Sequence, residues 1–387
     1  MRTEEDDVAL KLVHTADWHL GLRFRQFEPE DAVKLRRARL EVVDRILGEA
    51  VRYQADAVLC AGDLFDDRQP EDDWWEGLAK ILSNPRYAGR PVFLLPGNHD
   101  PYVAGSVWDP AHPFRKQLPA HVHVVDRDDF SFPLGEGAVL HAIPCRSLSS
   151  SKDQALALPE RTPGDERIRI GMVHGSTFDM PDAQTNFPIA QDAVRRRGFD
   201  YLAIGDTHGF RIVPPDARPP TVYPGAPEPT KFGEDDAGHV AVVFMTRRRL
   251  ARVEKVPVAR WRWEAVRVTT LDQLRALHAR DGLQSRVLKL EVDLVLPPRE
   301  LQEAERLLRE LKGTEAVQGR AGIVQLRQRL ELDATDAEAL FADLPETLQA
   351  TARRLQEATG GTGAEVARRA LQHLYELARA TRSERRD

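Results

Sequence analysis

Five short apolar runs, each giving way to a cluster of small, acidic and imidazole residues, constrain the fold of this chain more than any other feature. The run at 10–13 leads into His14-Thr15-Ala16-Asp17-Trp18-His19, and that at 57–60 into Ala61-Gly62-Asp63-Leu64-Phe65-Asp66. Residues 92–95 lead into Pro96-Gly97-Asn98-His99-Asp100, 168–173 into His174-Gly175, and 201–204 into Gly205-Asp206-Thr207-His208. Four to six apolar residues with little alternation read as strands covered on both faces. Between them, Leu40, Val43, Leu47 and Ala50, then Trp74, Leu78, Ile81 and Leu82, recur at helical spacing. Strand and helix in alternation predict an α/β architecture. Such sheets collect ligands at the carboxyl ends of their strands. All five polar clusters fall there and would share one rim.

The size of the chain, 387 residues, predicts two domains with a small appendage. Its 55 Lys and Arg against 61 Asp and Glu leave a net charge of −6. Nucleic acid would therefore have to be held by a local basic patch, a metal or a partner, because bulk attraction to phosphate needs an excess of cations. No run approaches the ~20 apolar residues of a membrane span. The opening Met1-Arg2-Thr3-Glu4-Glu5-Asp6-Asp7 is acidic where a signal peptide would be basic. Cys60 and Cys145 are too far apart in sequence for a zinc ribbon or a disulfide framework. The expectation is a reduced, cytoplasmic protein with no membrane contact.

Past Gly238 the texture changes. Residues 239–245 and 250–256 read as a hairpin around Arg247-Arg248-Arg249. A second pattern then begins, with a strand at 263–268, a helix at 272–279 and a helix at 299–312. At 287–296, Leu288, Leu290, Val292, Leu294 and Leu296 alternate with Lys289, Glu291 and Asp293, which marks a half-buried strand. Another alternating strand follows at 324–330. Boundaries are expected to give domains at 1–259 and 260–333, and a helical tail at 334–387.

Asp17, His19, Asp63, Asn98, His174, Asp206 and His208 supply oxygen and imidazole donors without a thiolate. That set suits two hard or borderline divalent ions, Mn²⁺ first, with Mg²⁺, Fe²⁺ or Zn²⁺ as alternatives, and not a structural zinc. Two ions about 3.5–4 Å apart need a shared carboxylate, and Asp63, beside Gly62, is placed for it. A pair of ions of this kind can activate a water and clamp a phosphoryl oxygen.

Taken together, Asp17-x-His19, Gly62-Asp63, Gly97-Asn98-His99-Asp100, His174-Gly175 and Gly205-Asp206-x-His208 resemble the five motifs of the calcineurin-like metallophosphoesterases. The wording from His14 to Gly21, with Gly62 to Asp66, is similar to SbcD-type DNA exonuclease subunits and their meiotic-recombination relatives. Tyr223-Pro224-Gly225-Ala226 and Phe232-Gly233-Glu234 resemble the strand and turn after the last motif there. The resemblance implies a sandwich of two sheets flanked by helices, with a small α+β cap domain and C-terminal helices. It implies one ion on Asp17, His19, Asp63 and His208, and another on Asp63, Asn98, His174 and Asp206. His99 would stabilise the transition state or protonate the leaving oxygen, oriented by Asp100. Exonuclease and endonuclease activity, homodimerisation and an SbcC-like coiled-coil ATPase partner are further implications.

Asp206 departs from that pattern, which has a histidine at the position. A third carboxylate changes the local charge by one unit, worth roughly 4 kcal/mol at about 4 Å in an effective dielectric near 20. Tighter retention of the second ion and a less acidic water between the ions are expected.

Arg247, Arg248, Arg249, Arg260, Trp261, Arg262 and Trp263 mix cations with aromatics, a pattern that fits DNA phosphates and exposed bases. The same residues also fit a solvated hairpin tip and two tryptophans packed at a domain joint. In the tail, Ala367, Leu371 and Leu374 line one helix face, which could dock on the ATPase partner or pack on its own domain. The sequence reading is a metal-dependent DNA nuclease. Its alternatives are a phosphodiesterase for a nucleotide or other small phosphodiester, and a catalytically weak DNA-binding scaffold.

Overall fold

The computed structural model describes residues 7–177, 186–314, 317–332, 346–360 and 363–383; the first part of the expected tail, at 334–345, lies outside the described residues. The chain divides into two compact units, Met1–Arg262 and Trp263–Asp387.

In the first unit, β1 (Val8–Thr15), β2 (Ala57–Cys60), β3 (Val92–Leu94) and β4 (Val122–Val124) lie parallel in one sheet. Next come β5 (Phe130–Pro133), β6 (Ala138–Ala142), β7 (Ile168–His174), the short pair β8 (Ser176–Thr177) and β9 (Pro188–Ile189), β10 (Tyr201–Gly205), β11 (Arg211–Val213) and β12 (Thr221–Tyr223). The chain then returns to the first sheet with β13 (His239–Thr246) and β14 (Ala251–Pro257), giving the order β14-β13-β1-β2-β3-β4. The second sheet has the order β11-β12-β10-β7-β6-β5.

The near-continuous apolar runs are explained by what covers each face. Leu10, Leu12, Ala57, Leu59, Tyr201 and Ala203 point between the sheets into one core. Val13, Val58 and Cys60 point the other way, onto α1 (Pro29–Arg52) and α2 (Asp72–Leu82). Leu202 and Ile204 do the same on the outer face of the second sheet, beside Val194 and Phe199. Alternation is lost from the sequence because both faces of each strand are buried. Helix α1 starts as its sequence dictates, with Pro29 in the first turn and Glu30 and Asp31 beside the positive end of the helix. Two short helices, α3 (Pro113–Gln117) and α4 (Ala193–Arg196), complete the unit.

The second unit takes up the chain one residue into β15 (Arg262–Val268), which with β16 (Arg286–Leu296) and β19 (Ile323–Leu332) forms a three-stranded sheet, and β17 (Gly313–Thr314) pairs with β18 (Val317–Gln318). Helix α5 (Leu271–Ala279) opens on a capping box in which Thr270 and Gln273 satisfy each other's backbone N–H groups. Leu288, Leu290 and Leu294 of β16 meet Leu301, Leu308 and Leu311 of α6 (Pro298–Lys312) in one core. The tail helices α7 (Glu346–Ala358) and α8 (Ala364–Ser383) share it: Ala352 and Leu371 are buried there and Leu374 packs against it. The expected apolar stripe of the tail is thus turned to its own unit.

Candidate metal centre

The polar ends of β1, β2, β3, β7 and β10 meet at one rim of the first unit. The turns leaving the strands are interlocked: the Asp17 N–H donates to Gly62 O at 3.0 Å, His19 N–H to Asp63 O at 3.0 Å, and Leu20 N–H to Leu64 O at 2.8 Å. Four residues here hold left-handed backbone without being glycine: Asp17 at φ 55°, His19 at 44°, Asp63 at 52° and Asp206 at 101°. Each such position costs on the order of 1–3 kcal/mol and persists only where its surroundings impose it. Glycines give the room. A Cβ on Gly62 would stand 2.1 Å from His174 Nδ1, and one on Gly97 2.1 Å from Asp63 Oδ1.

Among the described residues donor atoms converge in three overlapping groups, Asp17 with His19 and His208, Asp17 with Asp63 and His174, and, nearer the mouth, His19 with Asp66 and His99. The Nε2 atoms of His19 and His208 are 3.1 Å apart. Asp63 Oδ2 lies between the two halves, 3.9 Å from His19 Nε2 and 3.4 Å from His174 Nε2. His174 Nδ1 lies 2.8 Å from Ala61 O, to which it donates, so the lone pair of a neutral ring sits on Nε2. That Nε2 lies 2.9 Å from Asn98 Oδ1 and 4.0 Å from Asp206 Oδ1, acceptors that draw either a second proton or a metal cation to this edge of the ring. Such a set is reconciled by a cation among the donors. The residues fit a divalent metal.

The electrostatics agree. Burial alone would raise the Asp63 carboxyl, but His174, through charge and a hydrogen bond, and then His19 and His99 hold it well below the usual carboxylate range. Burial would lower His174, yet Asp63, Asp17 and Asp206 hold it well above the ordinary imidazole value. The field that keeps a proton on that ring also draws a dication. Burial lifts Asp17 to about 6, against the pull of His174 and His208. Burial also lowers His19 to about 4.

His208 is oriented by a carboxylate that the sequence reading placed only in the Phe232-Gly233-Glu234 turn, without a role in the site. Its Nδ1 donates to Glu234 Oε1 at 2.6 Å, while Glu234 also accepts from the Thr230 hydroxyl and, at 2.7 Å, from the Thr230 N–H. Burial would raise Glu234, but His208 and Thr230 bring it down to about 2. Asp206 receives the Ser176 hydroxyl and donates its own N–H to Asp17 Oδ1 at 3.0 Å.

His99 stands at the mouth with its side chain 45% exposed, its ring edge-on to His19 at 4.9 Å. Asp100 does not orient it. The Asp100 carboxylate is buried behind the rim and accepts the N–H groups of Phe65 at 3.0 Å and Gly97 at 2.8 Å, so it braces the two loops. The acid beside His99 is Asp66, whose carbonyl lies 3.4 Å and whose Oδ1 3.7 Å from His99 Nδ1; Oδ1 also lies 3.4 Å from His19 Nδ1. The signal was in the sequence, three residues after Asp63.

The candidate DNA contacts fare differently. Thr246 pairs with Val8, whereas Ala241 pairs with His14, so Arg247, Arg248 and Arg249 cap the end of β1 remote from the rim. Six residues of strand put them roughly 20 Å away at ~3.3 Å per residue. Trp261 is 4% exposed and offers no face for a base, and Arg260 leans over it while reaching Glu41 at 3.3 Å. Arg262 is exposed and Trp263, half-buried, opens the second unit.

Strand-end carboxylates and imidazoles that gather cations, with an exposed histidine above them, define a metal-dependent phosphoesterase. The chain belongs to the calcineurin-like phosphoesterase family, whose model matches residues 10–210. It is 26% identical over 277 residues to the uncharacterized metallophosphoesterase YhaO of Bacillus subtilis, covering 69% of this chain and 65% of the relative. It is 32% identical over 174 residues to an SbcCD nuclease subunit of Rhodobacter capsulatus, covering 43% and 39%. A stretch of 95 residues is 38% identical to the DNA double-strand break repair protein Mre11 of Methanosarcina mazei, covering 24% and 14%. The chain spans less than two thirds of the length of each of these relatives.

Proposed function

We propose that the chain is a metal-dependent DNA nuclease, the hydrolytic subunit of an SbcCD-like repair complex. The observation that carries the reading is the convergence of the Asp17, His19, Asp63, His174 and His208 donors beneath an exposed His99. The relatives named for nuclease activity and DNA break repair direct it to DNA. One ion would be held by Asp17, His19, Asp63 and His208, the other by Asp63, Asn98, His174 and Asp206. Bound divalent ions, Mn²⁺ first, supply Lewis acidity that activates water and neutralises phosphate.

The protein's own groups do the rest. His99, with Nδ1 turned to Asp66, presents Nε2 to the leaving oxygen and can hand it a proton when the ring is doubly protonated. Asp66 orients that ring and His19 together. Glu234 keeps the His208 proton on Nδ1 and the Nε2 lone pair free. Homodimerisation, an SbcC-like ATPase partner and a cytoplasmic location belong to the same reading. Among the described residues no helix is long and apolar enough to cross a membrane.

Purified protein with Mn²⁺ on linear and circular DNA, beside a generic phosphodiester, tests this. DNA cleavage supports it. Hydrolysis of the generic ester alone would favour a small-phosphodiester enzyme, and failure on all substrates with metal bound would favour a scaffold.

A further inference from the structure

Arg39 stands on the inner face of α1, 1% exposed, among Leu35, Ala38, Val42 and Val43. Burial lowers its guanidinium to about 10, which leaves it charged at neutral pH. Among the described residues no carboxylate lies within ion-pair distance of it. Four backbone carbonyls receive it instead. Nε donates to Trp18 O at 2.9 Å and His19 O at 3.2 Å, and Nη1 to Glu228 O at 3.0 Å and Pro229 O at 3.1 Å. A buried cation without an ion pair is expensive, and an apolar residue would fill the space at less cost.

Those four carbonyls come from two segments, Trp18–His19 and Glu228–Pro229, about 210 residues apart in sequence. The first contains His19, strained at φ 44°. The second runs on to Thr230 and Glu234, and Glu234 orients His208. A single guanidinium therefore ties the backbone that carries His19 to the segment whose Glu234 orients His208, and those two imidazoles bring their Nε2 atoms to 3.1 Å. Among the described residues Arg39 makes no hydrogen bond to Asp63, Asn98 or His174; there His174 is fixed on Ala61 O.

We infer that Arg39 is the positioning residue of the His19–His208 half, setting the affinity of that one ion site without touching the ion. The inference rests on the two-ion reading above. Glutamine could span at most one segment, and lysine keeps the charge but has no planar fork to serve two.

The test is Mn²⁺ titration by calorimetry and electron paramagnetic resonance on wild type, Arg39→Lys and Arg39→Gln, with no substrate present and with thermal melts alongside. In Arg39→Lys one ion should weaken by tenfold or more, the usual scale for losing a contact behind the ligands. The other should bind as in wild type, and the spectrum of coupled ion pairs should give way to that of isolated ions. Combining Arg39→Lys with Glu234→Gln should weaken the same ion less than the product of the single effects, since both act on one half. If Arg39→Gln fails to fold, Arg39→Lys decides. Equal weakening of both ions, or none, would overturn the assignment while leaving two-ion binding intact. A wild-type stoichiometry of one would instead sink the two-ion reading.

Discussion

On the Asp63–Asn98–His174 side of the centre the donors sit at the ends of β2, β3 and β7, and the contact that fixes His174 is a main-chain carbonyl of the neighbouring strand end. On the Asp17–His19–His208 side, orientation is delegated to side chains from elsewhere: Glu234 behind His208, Asp66 beside His19, Arg39 under both loops. One half is a product of sheet geometry. The other also stands at strand ends, those of β1 and β10, but its imidazoles depend on charged groups brought from elsewhere in the chain. The difference predicts that the first half resists side-chain substitution around it, while the second can be tuned or lost by single changes outside the ligand set.

Asp63→Asn should have the largest effect, because that carboxylate faces both halves. Both ions should be lost and activity fall below detection; metal analysis showing one ion retained would break the symmetry claimed for Asp63. His99→Ser should lower cleavage by about 10²–10⁴-fold, the usual range for a general acid, with both ions retained. Loss of an ion in that variant would move His99 into one of the halves. Glu234→Gln should weaken only the His19–His208 half, by about 10–100-fold in metal affinity, read by the same titration.

Glu234 also gives that half an acid limit. Its carboxyl is depressed in the folded chain to about 2 from an ordinary 4.5. Its stabilising contribution is therefore complete above about 4.5 and lost as pH falls toward about 2. Glu234→Gln should flatten this limb of the melting temperature against pH; an unchanged limb would refute the pairing. Asp206→His, the smallest change, should lower the pH at which the rate reaches its plateau, because one negative charge leaves the centre. A profile that stays put with both ions bound would remove the charge argument.

What was legible in the sequence was whatever local pattern determines. The strand at 287–296 alternates because one face is exposed, and it appears as Arg286–Leu296. The helix at 299–312 appears as Pro298–Lys312. The seven proposed metal-binding residues were readable because each closes an apolar run. Contacts between distant segments were not. Asp100 reads as the natural partner of His99 because they are adjacent, yet the turn sends its carboxylate to Phe65 and Gly97, and Asp66 takes its place. Arg39 sits in an amphipathic pattern as one more charged residue; only the fold shows it facing inward. The arginines after Thr246 looked suited to the site because sequence gives no register, and pairing with β1 sends them to its other end.

The glycines at the rim also bear on how such an enzyme can diverge. Any side chain at Gly62 or Gly97 would strike His174 or Asp63, atoms the proposed chemistry needs. Selection therefore cannot adjust the Asp63–His174 half by small steps at these two positions. Variation is channelled into the segment behind the other half, where Thr230 and Glu234 stand clear of the interlocked strand ends. Relatives that keep the same five strand ends should differ in rate and metal preference chiefly through that segment.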